Sequence, residues 1–81
     1  MGTTDNAVRE RIRKLCQTKN YTINKLADVS GLNYSTVRDF MKGKNNNIGI
    51  ITIKKLCDGL DISLYDFFHH EMFKNIEQEI K

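Results

Sequence analysis

Residues 22–43 read Thr-Ile-Asn-Lys-Leu-Ala-Asp-Val-Ser-Gly-Leu-Asn-Tyr-Ser-Thr-Val-Arg-Asp-Phe-Met-Lys-Gly, and two glycines in this stretch decide how the chain folds. Gly31 follows Ser30 where a first short helix must stop, because glycine enters the left-handed conformation after a helix end without a Cβ clash. Asn33 then stands where a second helix begins, its side chain expected to accept from the amide of Ser35 or Thr36, and Gly43 closes that helix after Lys42. Leu26 and Ala27 occupy the middle of the first helix, with Ala27 small where a second helix would cross closely. At ~100° per residue, Thr36, Val37 and Phe40 fall on one side of the second helix, while Tyr34, Ser35, Arg38, Asp39 and Lys42 fan over the opposite arc. One side packs, and the other is left to touch something else.

The pattern is an alanine in the first helix, a glycine four residues later, an aliphatic six beyond it and an apolar residue three further on, here Ala27, Gly31, Val37 and Phe40. That is the spacing of the helix-turn-helix. With the flanking helices described below, the chain resembles the lambda-repressor and Cro-like (XRE-type) family of bacterial and phage regulators from about Val8 to Phe68. The resemblance implies an all-α, compact five-helix domain that binds double-stranded DNA sequence-specifically and regulates transcription, as a repressor, by inserting its third helix in the major groove.

The length, 81 residues, allows one domain with one core, expected at about 7–68, with a tail over 69–81. A 40% hydrophobic content without proline suits an ordered, helix-rich chain. No apolar run approaches the ~20 residues that span a bilayer, and no hydrophobic signal segment opens the chain, so a cytoplasmic protein without membrane partners is expected. Met1-Gly2 is followed by Asn6 where the myristoylation pattern needs Ser or Thr. The net charge of +3 is uneven: residues 1–55 hold eleven Lys/Arg against four acids, and residues 56–81 hold two against six. Ordinary solvated charge accounts for such a bias by itself; beside the motif it fits a basic surface facing a polyanion.

Upstream of the motif, Val8, Ile12, Leu15 and Cys16 recur at helical spacing and predict a buried stripe on a first helix capped at Thr3, Thr4 or Asp5 and running through Asn20. Arg9, Arg11, Arg13 and Lys14 fall on other faces, where solubility or the DNA backbone are the available roles. Tyr21 precedes the cap Thr22 as a hydrophobic staple. Downstream, Ile53, Leu56, Cys57 and Leu60 predict a fourth helix between about Ile50 and Leu60, and Ser63 with Asp66 opens a fifth carrying Leu64, Phe67 and Phe68. Met72, Phe73, Ile76 and Ile80 continue near helical spacing in the tail. Three fates are open to it: packing back on the first helix, offering an apolar stripe to an identical chain, or fraying.

Catalytic and metal chemistry find no support. Cys16 and Cys57 fall on apolar stripes and read as reduced core residues. His69 and His70 are adjacent and point to different sides, and Lys74 stands where a zinc-protease motif starting at His70 needs its second histidine. No phosphate-binding glycine loop and no nucleophile with a base are present, so neither an enzyme nor a cofactor is expected.

The interface implied by the resemblance follows residue by residue. Tyr34, Ser35, Arg38 and Asp39 are expected at base edges, with Arg38 the candidate for a bidentate contact to guanine. Tyr34 also reads as a ring packed on the rim of the fold, and Asp39 as the ion-pair partner of Lys42. Thr22, Asn24, Lys25, Lys42, Lys44 and Asn45 are expected at phosphates. Ile23 departs from the family, which often places a glutamine just after this cap, and so removes a side-chain donor. A single recognition helix covers few base pairs, so a homodimer on a two-fold operator is expected, held by the fifth helix and the tail. The competing reading is a protein-binding helix-turn-helix module, such as an antitoxin-like partner of another protein.

Overall fold

Five helices form where the apolar spacing predicts them. In the computed structural model, which describes residues 2–80, they are α1 (Thr4–Lys19), α2 (Ile23–Val29), α3 (Tyr34–Met41), α4 (Ile50–Leu60) and α5 (Leu64–Phe68), followed by one 3₁₀ turn, Glu71–Phe73. No strand occurs among the described residues.

The helix starts follow the short polar side chains. Thr3, Thr22 and Ser63 each accept a hydrogen bond from the amide three residues on, at Asn6, Lys25 and Asp66. Asn33 departs from its expected role. It has the extended backbone of a cap, but its side chain makes no capping bond, because its own carbonyl already accepts from the Thr36 amide at 3.1 Å and the Val37 amide at 3.3 Å. The helix ends use the left-handed conformation at Asn20 (φ 58°), Gly31 (φ 67°), Gly43 (φ 81°) and Asp61 (φ 60°). α1 therefore stops one residue short of its expected end, with Asn20 as its cap.

Val8, Ile12, Cys16, Leu26, Ala27, Val37, Phe40, Ile53, Leu56, Cys57, Leu60 and Phe67 make one buried cluster. Leu15, expected in the stripe, is half-buried at its edge, as is Tyr21. Thr36 is exposed, at the rim of the side that Val37 and Phe40 bury, and Met41 packs there instead. Burial raises the pKa of both free thiols, Cys16 and Cys57.

α2 packs on both α3 and α4. The α2–α4 approach is close enough that a Cβ built on Gly59 would collide with Ser30 Oγ and come within 3.1 Å of the Ser30 amide nitrogen and of Val29 Cγ2. The Ser30 hydroxyl is buried there without a hydrogen-bond partner.

The tail does not continue as a helix. His70 is extended (φ −152°, ψ 147°) and its imidazole accepts from the Met72 amide, which ends the helical run its neighbours' spacing suggests. The chain folds back on α1 instead: Phe73 packs at 5.1 Å from the Phe68 ring and 6.2 Å from Phe67, and the Glu77 amide donates to the Gly2 carbonyl at 3.0 Å. Ile80 remains exposed.

Candidate nucleic-acid interface

α3 is anchored by Val37 and Phe40, 4% and 3% exposed, and this anchoring fixes what its outer side presents. Tyr34 is 45% exposed, and Ser35 and Thr36 are exposed beside it. Next on the same side come the half-buried Arg38 and Asp39. The structure thus brings Tyr34, Ser35, Arg38 and Asp39 together on one open surface.

Arg38 and Asp39 are not independent groups there. Arg38 Nε donates to Asp39 Oδ1 at 3.0 Å, Nη2 lies 3.0 Å from the same oxygen as an ion-pair contact, and the guanidinium carbon lies 5.6 Å from the centre of the Tyr34 ring. This corrects the expected Asp39–Lys42 pair. Neighbours one residue apart diverge by about 100° on a helix, but an arginine stem is long enough to fold back across that gap. Lys42, beyond the last helical residue, has no ion pair among the described residues.

The backbone-contact candidates lie at two places. Thr22, Asn24 and Lys25 are exposed at the start of α2, around a shallow hollow that Asp28 also lines. Ile23, the departure from the family pattern, turns inward against the core. After α3, Lys42, Lys44 and Asn45 are exposed on the loop to α4. The Asn45 carboxamide is engaged within that loop, accepting from the Asn47 amide at 3.1 Å.

What holds this loop is a residue whose role the sequence did not reveal. Arg9 is 5% exposed. Its Nε donates to the Phe40 carbonyl, Nη1 to Asp5 and Asn6 at 2.6 and 2.8 Å, and Nη2 to the Asn46 side chain and the Asn45 carbonyl at 2.7 and 3.2 Å. The guanidinium also lies 4.7 Å from the Phe40 ring centre. Hydrogen bonds from Thr3, then from Arg9, lower the Asp5 pKa below the ordinary carboxylate value. A signal was present: Arg9 stands three residues before Ile12 and seven before Cys16, which is buried-stripe spacing.

Arg11 is likewise engaged, donating to the Phe67 and Asp66 carbonyls at 2.7 Å each. Arg13 pairs with Glu10 at 3.3 Å. The basic character counted over residues 1–55 therefore includes cations that serve the fold. No helix of the described residues is long and apolar enough to cross a membrane, and no group of three metal-ligating side chains occurs among them.

Known proteins match this architecture. The family model of the Cro/C1-type HTH DNA-binding domain matches residues 11–72. Among curated proteins, the chain is 26% identical over 61 residues to the SPbeta prophage-derived uncharacterized HTH-type transcriptional regulator YopS of Bacillus subtilis (strain 168), covering 75% of this chain and 82% of that one. Among solved structures, prophage Lp1 protein 11 superposes with a TM-score of 0.80 at 37% identity, over 94% of this chain and 100% of that one.

Proposed function

The chain belongs to the Cro/C1-type HTH DNA-binding family, and from that premise we propose that it is a sequence-specific regulator of transcription, acting as a repressor, that lays α3 in the major groove of duplex DNA. The observation that carries this reading is the division of α3: Val37 and Phe40 are pinned in the core while Tyr34, Ser35 and Arg38 stand open on the opposite side. An exposed helical surface of this kind fits a groove about 12 Å wide.

Arg38 reads guanine through O6 and N7, and Tyr34 and Ser35, nearest the start of α3, meet neighbouring base edges or phosphates. Thr22, Asn24 and Lys25 on one side, and Lys42, Lys44 and the Asn45 backbone on the other, straddle the helix and grip the two phosphate strands that border the groove. Two copies on a two-fold operator place their recognition helices ~34–36 Å apart. Occupying a promoter in this way excludes polymerase, which is how a protein without catalytic chemistry represses.

The test is selection of duplexes from a random library by the purified chain, followed by titration against salt. The expected result is recovery of a guanine-containing sequence in two-fold symmetric half-sites, with log K falling steeply as log salt rises. Lys44→Gln should weaken selected and random duplexes together and reduce that slope by about 0.9, the value for one phosphate contact. Recovery of no preferred sequence, or a salt-independent affinity, would remove the reading.

A further inference from the structure

A carboxylate on a surface meant for DNA needs a reason to be there. Asp39 is half-buried on the outer side of α3, where the phosphates on either side of a groove would repel it. Its partner among the described residues is Arg38, whose Nε donates to Asp39 Oδ1 at 3.0 Å while Nη2 lies 3.0 Å from the same oxygen. A guanidinium has five N–H bonds in a fixed plane. The edge facing Asp39 spends the Nε–H and sets one N–H of Nη2 beside the carboxylate oxygen. The end of the fork is left over: one N–H of Nη1 and the second of Nη2, a parallel pair that matches guanine O6 and N7. The Tyr34 ring, 5.6 Å from the guanidinium carbon, limits how far the fork can swing.

We propose that Asp39 is a specificity-determining residue that acts through Arg38, fixing the free end of the guanidinium toward base edges and neutralising the charge that would otherwise take it to any nearby phosphate. The proposal rests on the reading of α3 as the groove helix. It assigns Asp39 a positioning role rather than a base contact, and it predicts opposite signs for two measurable quantities. Without the carboxylate, Arg38 becomes a mobile cation that grips phosphate wherever it finds one. Affinity for arbitrary DNA should hold or rise while discrimination falls.

The experiment is a double-mutant cycle on the whole chain, using Asp39→Asn, Asp39→Ala, Arg38→Ala and Arg38→Ala/Asp39→Asn. The probes are a duplex recovered from a random library by the wild-type chain and a scrambled duplex of the same composition, at one salt concentration. A bidentate arginine contact is worth roughly five- to hundredfold in discrimination. Loss of its orientation should therefore lower the ratio of the two affinities about five- to tenfold in both Asp39 variants. Affinity for the scrambled duplex should be unchanged or higher. In the Arg38→Ala background, Asp39→Asn should change the ratio by less than about twofold, since the group it positions is gone.

The proposal is overturned if both Asp39 variants keep the wild-type ratio, or if Asp39→Asn lowers it equally with and without Arg38, which would make Asp39 a direct reader of cytosine. It is overturned too if both affinities fall together, which marks a structural role. A wild-type chain that does not distinguish the two duplexes defeats the groove reading along with it; a wild-type preference that survives Asp39→Asn defeats this inference alone.

Discussion

Two arginines in this chain carry the same equipment and do opposite things. Arg9 has an aspartate at 2.6 Å and an aromatic ring centre at 4.7 Å; Arg38 has an aspartate at 3.0 Å and a ring centre at 5.6 Å. The Arg9 side chain is 6% exposed and also donates to Asn6, Asn46 and two backbone carbonyls, so every direction its fork can point is occupied by protein. The Arg38 side chain is 36% exposed, and beyond the Tyr34 ring its one hydrogen bond among the described residues runs from Nε to Asp39. An ion pair with an aromatic neighbour therefore says little by itself about what an arginine is for. The number of donors left over separates a clamp between α1 and the loop after α3 from a side chain with donors free for another molecule.

The comparison is broken or sharpened first at Arg9. Arg9→Met keeps the apolar stem but withdraws the guanidinium from Asp5, Asn46 and the Phe40 carbonyl, which retains the Gly43 amide at 3.1 Å, and losing hydrogen bonds to a charged group of this kind should cost about 1.5–3 kcal/mol. Urea unfolding at neutral pH should show that loss; a midpoint matching the wild type would mean burial is not what distinguishes the two arginines. Smaller, and on the scale of one hydrogen bond, is Thr22→Ala, which removes the acceptor for the Lys25 amide and should cost about 1 kcal/mol in the same assay. Smallest are the outward groups. Arg38→Ala should leave unfolding within about 0.5 kcal/mol of wild type, as expected for a surface residue. Asn33→Ala should likewise cost less than Thr22→Ala, because only Thr22 makes a side-chain capping bond. A stability loss at Arg38 comparable to that at Arg9 would make both arginines structural.

These effects also mark what could be read without coordinates. Helices α1 to α5 were legible because each joins an apolar 3.6-residue period to a local stop or start, Gly31, Gly43 and Ser63 being the clearest. The open surface of α3 followed from the same periodicity. Missing was everything that depends on a long side chain's path. Periodicity gives the direction of a Cβ and not the end of a guanidinium, so Arg9 read as solvated and Asp39 seemed paired with Lys42, one turn on. Asn33 failed for another reason: the residue type matched a cap, but the amide it would serve already had the backbone carbonyl as its partner. In the tail, packing back on α1 was one of three fates left open; the helical spacing of Met72, Phe73, Ile76 and Ile80 could not choose among them, and His70 sits in an extended conformation that no helix passes through.

Gly59 and Ser30 tie the angle of the motif to the order in which it can change. With the serine in place, a larger residue at 59 strikes its hydroxyl, which must turn away, and still meets the Ser30 nitrogen and Val29 Cγ2 at 3.1 Å. Ser30→Ala removes that obstacle together with an unsatisfied oxygen, and leaves only the 3.1 Å approaches to the Ser30 nitrogen and Val29 Cγ2 to be relieved. A route through sequence space that trims position 30 before enlarging position 59 thus meets fewer contacts than the reverse order, and descendants of this chain should show the two positions drifting as a pair.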